Sequence, residues 1–265
     1  MTDLACQLRD LAAIVAREAG DMVAEGRRRD ELETDTKSSA TDMVTQFDRA
    51  SERLIAARLT AARPDDALVG EEGTSTPGTS GISWLVDPID GTTNFLFDLP
   101  GYAVSIAATD ASGTLAGAVY VPRTGDMFVA ARGHGAHLRD VHGERRLRCN
   151  DATDLASALV ATGFSYLPER RSAQAARLAR VIHQVRDVRR MGAAAVDLCH
   201  VAAGRIDAYY EEHLGPWDLA AGELIAREAG ARSGDFHGGP VRPDEVLVAA
   251  PGLFDAISAA ILAAG

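Results

Sequence analysis

Residues 84–95, WLVDPIDGTTNF, constrain this chain more than any other stretch. Two aspartates, a proline, a glycine and two threonine hydroxyls share one short window. Residues 82–86 are apolar and β-prone, so Asp87 falls where a strand runs out. Pro88 cannot donate to a sheet ladder and fixes its own φ, so the strand is expected to end there. Asp90-Gly91 is a turn pair, because Gly tolerates positive φ and Asp bonds its own backbone. Thr92 and Thr93 are suited to cap a helix entered at Asn94. Asp87 and Asp90 then converge on one point, and two close carboxylates repel unless a cation joins them. The helix start beside them offers N–H groups to a phosphate. Hard carboxylates next to a phosphate site are the ligand set that Mg²⁺ prefers.

The flanking pattern supplies a frame for that window. Leu4, Leu8, Leu11, Val15, Ala19, Met22 and Val23 recur at steps of three and four, which predicts an amphipathic helix over 3–26. Residues 33–48 read as a loop with short extended pieces that includes Lys37 and Asp42, a candidate cap. A second helix is expected over 45–62, with Phe47, Leu54, Ile55 and Leu59 inward and Asp48 in its dipole-favoured first turn. A short strand at 67–69 delivers Glu71 and Glu72 shortly before Asp87 and Asp90. Residues 74–81, TSTPGTSG, are a flexible linker that either joins the two acidic strand ends or acts as a flap.

Strands at 102–108, 115–121 and 127–131, joined by tight turns, predict an antiparallel sheet continuing to about 147. His134, His137 and His142 fall in its hairpins without metal-ligand spacing. From about residue 150 helices alternate with strands: strands at 158–162, 187–190, 206–210, 231–233 and 246–249, and helices at 168–185, 192–204, 217–230 and 252–264. The first of these helices carries Arg170, Arg171, Arg177 and Arg180, read as a solvated face. The strand at 206–210 runs into Glu211 and Glu212, and the third helix opens on Trp217-Asp218. The expected division is an α+β half over 1–147 and an α/β half over 148–265.

Charge and motif content exclude several classes. A net charge of −11 argues against nucleic acid as a partner, since phosphates need basic surface. Three cysteines without CxxC spacing give no zinc or disulfide framework and suggest a reducing cytoplasm. The N-terminal residues lack a signal-peptide apolar region, and no run is long enough to span a bilayer. Neither GxSxG nor GxxxxGK[ST] occurs. What remains is a set of acids at strand ends and helix starts: Glu71, Asp87, Asp90, Glu211 and Asp218. With the DGTT helix start they suggest a phosphate site holding several Mg²⁺ ions.

The stretch Asp87-Pro88-Ile89-Asp90-Gly91-Thr92-Thr93-Asn94-Phe95 resembles the first signature of the inositol monophosphatase family. Trp217-Asp218-Leu219-Ala220-Ala221-Gly222, followed by Glu228-Ala229-Gly230, resembles the second. Gly70-Glu71-Glu72, Lys37-Ser38-Ser39 with Asp42 and Asp48, and the run from Arg189 to Leu198 match in the same order. The likeness covers nearly the whole chain and is nearest to the actinobacterial, SuhB-type inositol-1-monophosphatases. It implies a five-layer αβαβα sandwich of the inositol monophosphatase / fructose-1,6-bisphosphatase type, a homodimer, and inhibition by Li⁺. It implies that Glu71, Asp87 and the Ile89 carbonyl hold a first Mg²⁺, and that Asp87, Asp90 and Asp218 hold a second. Glu71 would help hold a weaker third, and Lys37 would lie near the first metal and shape that weak site, with Glu72 a further site residue. Thr92, paired with Asp48, would activate the attacking water. Gly91 and Thr92 N–H groups would bind phosphate, while Asp90, the Ala194 backbone and Glu211 would bind inositol hydroxyls.

The expected substrate is therefore a small phosphate monoester, myo-inositol monophosphate, cleaved by in-line attack of water. Metal ions suit this reaction because they neutralise the phosphate dianion and stabilise a poor leaving oxygen. Fructose-1,6-bisphosphatase, histidinol-phosphatase and 3′-phosphoadenosine 5′-phosphate phosphatase are the alternatives within the superfamily. A reading of a different class is a regulatory protein that binds Mg²⁺ and phosphates and docks a partner through residues 170–190.

Overall fold

The computed structural model describes residues 3–29, 32–37 and 43–263. The chain opens on helix α1 (Leu4–Arg29), whose buried stripe includes Leu8, Ala12, Val15, Ala19 and Val23. That stripe follows the three-four spacing of one helix face. Strands β1 (Thr34–Thr36) and β2 (Met43–Thr45) pair as a small antiparallel ribbon. It leads into α2 (Gln46–Ala62), which Thr45 and Asp48 start with a reciprocal capping box. Ser38, Ser39 and Asp42 lie outside the described residues.

Next come β3 (Ala67–Gly70), β4 (Ser75–Thr76), β5 (Ser83–Asp90), the short α3 (Thr92–Leu96), β6 (Ala103–Asp110), β7 (Gly113–Val121), β8 (Asp126–Ala131), β9 (Gly135–Asp140) and β10 (Gly143–Arg146). Their eight-stranded sheet has the order β10-β9-β8-β7-β6-β5-β3-β4. Only β3 and β5 run parallel in it; the other pairs are antiparallel. The second sheet takes β11 (Leu159–Thr162), then α4 (Pro168–Val181), β12 (Asp187–Arg189), α5 (Ala194–Ala202), β13 (Ala208–Glu211), α6 (Pro216–Glu228), β14 (Arg232–Gly234), β15 (Val246–Ala249) and α7 (Phe254–Leu262). Its order is β12-β11-β13-β15-β14, parallel from β12 to β13 and antiparallel from β13 to β14.

The alternation of side chains along these strands produces the layers. On β6 and β7, Val104, Ile106, Ala118 and Tyr120 face the α1–α2 side, while Ala103, Ala107, Val119 and Val121 face α5 and α6. On the small sheet, Tyr209 and Val248 meet the same α5–α6 layer, and Tyr210 and Leu247 face α7. The result is α1–α2, large sheet, α5–α6, small sheet, α4–α7: the αβαβα sandwich expected from the sequence. Each large side chain buried in these layers is worth roughly 1.5–3 kcal/mol relative to exposure. Close approach of α6 to β7 requires Gly117, where a Cβ would stand 2.9 Å from Ala221 Cα.

Three local expectations need correcting. Strand β5 does not stop before Pro88 but runs to Asp90. The ladder slips there: Asp87 faces Ser105 and Asp90 faces Ala103, so three steps on β5 match two on β6. A bulge of this kind tolerates a residue without an N–H. Helix α3 begins at Thr92, two residues earlier than the expected entry at Asn94, with Gly91 at φ +86° as its flanking residue. The 74–81 segment is not a free linker. β4 pairs with β3, Thr79 and Ser80 N–H groups bond the Asp65 carbonyl, and Ser80 Oγ donates to Asp66.

Candidate active site

Parallel pairing of β3 and β5 sets Gly70 opposite Val86, so the two strands end side by side. Glu71 leaves β3 with its N–H on the Val86 carbonyl at 3.1 Å, which brings it beside Asp87. The slip in β5 then turns Asp90 toward the side Asp87 faces, although a regular strand would alternate them. From the other direction α6 contributes Asp218 in its first turn, held by the Gly215 N–H at 2.7 Å. Ser105 Oγ donates to the Trp217 carbonyl and fixes that helix start on β6. Carboxylate oxygens of Glu71, Asp87 and Asp218 thereby lie within 4.8 Å of one another.

Asp90 stands beside this trio and is held differently. Its two oxygens accept the N–H groups of Ala194 at 3.1 Å and Ala195 at 2.7 Å, at the start of α5. The Ala194 N–H, expected to meet an inositol hydroxyl, is thus already directed at Asp90. Asn94, buried on α3, donates to the carbonyls of Gly101 and Met191 and locks the loop before α5 onto the signature segment.

Asp48 is fully buried at the head of α2. It accepts the Thr45 N–H at 2.8 Å and hydroxyl at 2.5 Å, and it lies 3.3 Å from Thr92 Oγ1. The Thr92 hydroxyl also lies 3.1 Å from the Ile89 carbonyl. Both neighbours are acceptors, so the hydroxyl proton points at one of them and its lone pairs stay available to the cleft. Lys37 Nζ bonds Glu71 at 2.9 Å and also bonds Glu72.

The cleft has a volume of about 150 Å³. Its lining joins Glu71, Asp87, Ile89, Asp90, Gly91, Thr92 and Asp218 to Ala194 and Glu211 from the opposite wall. Asp48, Lys37 and Glu72 are not part of that lining; Asp48 reaches it through Thr92, Lys37 through Glu71, and Glu72 through Lys37. His213, a left-handed residue at φ +64°, and Leu214 border the cleft, whereas residues 74–81 do not. Glu211 accepts the Tyr209 hydroxyl, and Gly163 makes room for it: a Cβ there would meet Glu211 Oε2 at 1.8 Å.

Burial, and then the charges of Glu71 and the neighbouring acids, push Asp87 and Asp218 well above the ordinary carboxylate range. Burial outweighs the two backbone donors of Asp90 and raises it to about 7. Burial likewise raises Asp48 against its bonds to Thr45, and Glu211 against Tyr209 and Arg190. Glu72 rises to about 7 through burial despite its contact with Lys37. Lys37 loses from burial, but the Glu71 charge and its two carboxylate bonds hold it above its usual value. Among the described residues Lys37 is the one side-chain cation bonded to the trio. Crowded, oxygen-only donors, with Asp87 buried and Glu71 and Asp218 half-buried, are what a hard divalent cation requires, so these residues fit Mg²⁺.

Several residues that shape the site went unread in the sequence. Glu52, one turn after Asp48, is 2% exposed and accepts the N–H groups of Glu72 at 2.7 Å and Thr74 at 2.9 Å. It pins the loop that carries Glu71, and Gly70 must lack a Cβ because Glu52 would lie 2.2 Å from it. The signal present in sequence was the four-residue spacing from Asp48, which places both on one helix face. Asp197 and Arg190 also line the cleft; they fall in the run from Arg189 to Leu198 that carries the resemblance but were given no role, and the segment 163–166 lines it without any distinguishing pattern.

Residues 6–263 match the model of the inositol monophosphatase family. An inositol-1-monophosphatase from Mycobacterium leprae is 46% identical over 276 aligned residues, covering 96% of this chain and 93% of that protein. The protein named Nus factor SuhB in Pasteurella multocida is 44% identical, covering 87% of this chain and 85% of its own length. The solved structure of Mycobacterium tuberculosis SuhB superposes with a TM-score of 0.86 at 42% identity, covering 100% of this chain and 99% of that one.

Proposed function

The chain belongs to the inositol monophosphatase family and is a phosphoric monoester hydrolase, and from that premise we propose that it cleaves myo-inositol monophosphate to inositol and phosphate with Mg²⁺. The observation that carries the metal dependence is the Glu71, Asp87 and Asp218 cluster beside the Thr92–Asp48 pair. Glu71, Asp87 and the Ile89 carbonyl would hold one ion; Asp87, Asp90 and Asp218 a second; Glu71 a third. Bound there, Mg²⁺ supplies charge neutralisation of the phosphate and Lewis-acid activation.

The chain's own residues then do the positioning. N–H groups of Gly91 and Thr92 at the α3 start hold phosphate oxygens. Thr92 Oγ1, its proton committed to Asp48 or Ile89, accepts a hydrogen from the attacking water and so aims a lone pair of that water at phosphorus. Asp48, raised by burial, is the stronger base for the proton released. Glu211 and Asp90 orient the alcohol. In-line geometry of this kind supplies much of the rate.

The test is phosphate release across myo-inositol 1-phosphate, fructose 1,6-bisphosphate, histidinol phosphate and 3′-phosphoadenosine 5′-phosphate, with Mg²⁺ and with or without Li⁺. Preference for the inositol ester, lost with Li⁺, is the expected outcome. Preference for another ester keeps the metal chemistry and replaces the substrate; no turnover on any removes the reading. The same reading carries a homodimer in a cytoplasmic setting, checked by light scattering and fractionation. Among the described residues no helix is long and apolar enough to cross a membrane. The name of the Pasteurella relative, Nus factor SuhB, motivates a second reading, a regulatory binding role beside catalysis. It expects a stoichiometric partner in pull-downs that survives Asp90→Asn.

A further inference from the structure

The alcohol side of the cleft contains a carboxyl that none of the chemistry above uses. Asp197 lies on α5 three residues after Ala194, hence on the same helix face. It keeps 1% of its exposure, yet it lines the cleft together with Glu211 and Arg190. Its Oδ1 is buried and has no hydrogen-bond partner among the described residues. Native structures rarely leave such an atom unmet, and those that do often expect a ligand there.

The neighbouring acids are already engaged. Glu211 takes the Tyr209 hydroxyl, and both oxygens of Asp90 take backbone N–H groups of α5. The vacancy on Asp197 is therefore not one member of a generally unsatisfied wall. The first turn of α5 favours a negative charge there, which explains why an acid is tolerated but not why its Oδ1 is left without a donor. Burial, with the charges of Asp90 and Glu211 added and Arg190 opposing, holds the carboxyl well above its usual range. A carboxyl in that state can both donate and accept, as a ring hydroxyl can.

We propose that Asp197 determines specificity: its carboxyl hydrogen-bonds a ring hydroxyl of the alcohol, so the cleft selects phosphate monoesters of polyols over esters lacking a hydroxyl at that reach. This rests on the polyol-phosphate reading of the site. A site built to bond a hydroxyl discriminates strongly against substrates without it, because its own polar group is then left unpaired.

The experiment compares kcat/KM for myo-inositol 1-phosphate and for phenyl phosphate, with Mg²⁺, in wild type, Asp197→Ala and Asp197→Asn. The expected result is a ratio that falls about tenfold in Asp197→Ala, carried mainly by KM, from the loss of one hydrogen bond. Asp197→Asn, which still donates and accepts, recovers part of the ratio. A purely structural role lowers both substrates together and leaves the ratio in place, which overturns the proposal. So does a ratio unchanged in both variants while wild type still discriminates. A wild type that cleaves phenyl phosphate but ignores the ring hydroxyls overturns the polyol reading itself, and Asp197's role with it.

Discussion

The wall of the cleft built by β3, β5 and the start of α6 and the wall built by α5 and β13 both bury acids, but they hold them differently. On the first, Glu71, Asp87 and Asp218 crowd within 4.8 Å, and Lys37 alone among described side chains supplies positive charge to them. On the second, Glu211 has Tyr209 as a donor and Arg190 nearby, and Asp197 stands on a separate element. Crowding creates repulsion that a cation relieves. Spacing creates separate hydrogen-bonding positions suited to neutral hydroxyls. On the proposed function, one cleft would pair a charge-dense wall for the phosphate with a sparse wall for the alcohol.

The contrast breaks most sharply by neutralising the dense wall. Asp218→Asn or Asp90→Asn is expected to cut turnover on the order of 10³-fold while the protein stays folded, because transition-state charge stabilisation is lost. Steady-state rates beside a thermal melt decide it; near-normal activity in both would refute the metal assignment.

The next largest effect is on stability without metal. Asp90 has a folded pKa of about 7, above the ordinary carboxylate value, so the folded state binds more protons than the unfolded one. Stability from this group is complete at low pH and falls as pH rises from roughly 4 to 7. Asp87 and Asp218, raised for the same cause, add to the loss in the same direction. Chelated protein should therefore melt lower at pH 8 than at pH 5.5. Saturating Mg²⁺ at about 100 times its Kd should restore roughly 2.7 kcal/mol. Melts in EDTA at both pH values check this; a flat profile would mean the crowding carries no energetic cost.

A smaller effect sharpens the comparison from outside the cleft. Glu52→Ala frees two N–H groups in the loop that carries Glu71, and Mg²⁺ affinity should weaken by roughly 10–100-fold, as for other supports of a ligand. Calorimetric titration of Mg²⁺ reads it directly, and unchanged affinity would show that Lys37 and the sheet suffice to place Glu71. Smallest is Glu211→Gln on the sparse wall. KM for inositol phosphate should rise several-fold, about one hydrogen bond's worth, and more than for phenyl phosphate. Equal shifts on both would take Glu211 out of alcohol recognition.

The helical stripe of α1, the alternating strands from β6 to β8 and the DPIDGTT window were legible because each is a local pattern. The path of β5 through Pro88 was not. Proline forbids one ladder bond, and only the partner strand β6 shows that the register slips where that bond would be. The 74–81 segment read as flexible from its small and polar residues, but its order comes from Asp65, Asp66 and the edge of β3. Asp48 was legible as a helix-start residue, while its contact with Thr92 spans 44 positions and has no local signature.

The sequence by itself determined most of the elements and the identities of the candidate acids, because these follow from periodicity, backbone preference and side-chain chemistry; the layer pattern was legible only through the family resemblance. Tertiary structure decided which acids crowd and which stand alone. It did so by setting β3 parallel to β5, slipping β5 against β6 and aiming the starts of α5 and α6 into one cleft. Those choices rest on contacts between residues far apart in the chain, and they decide which carboxyls repel, which are bonded, and which one faces the cleft with an oxygen to spare.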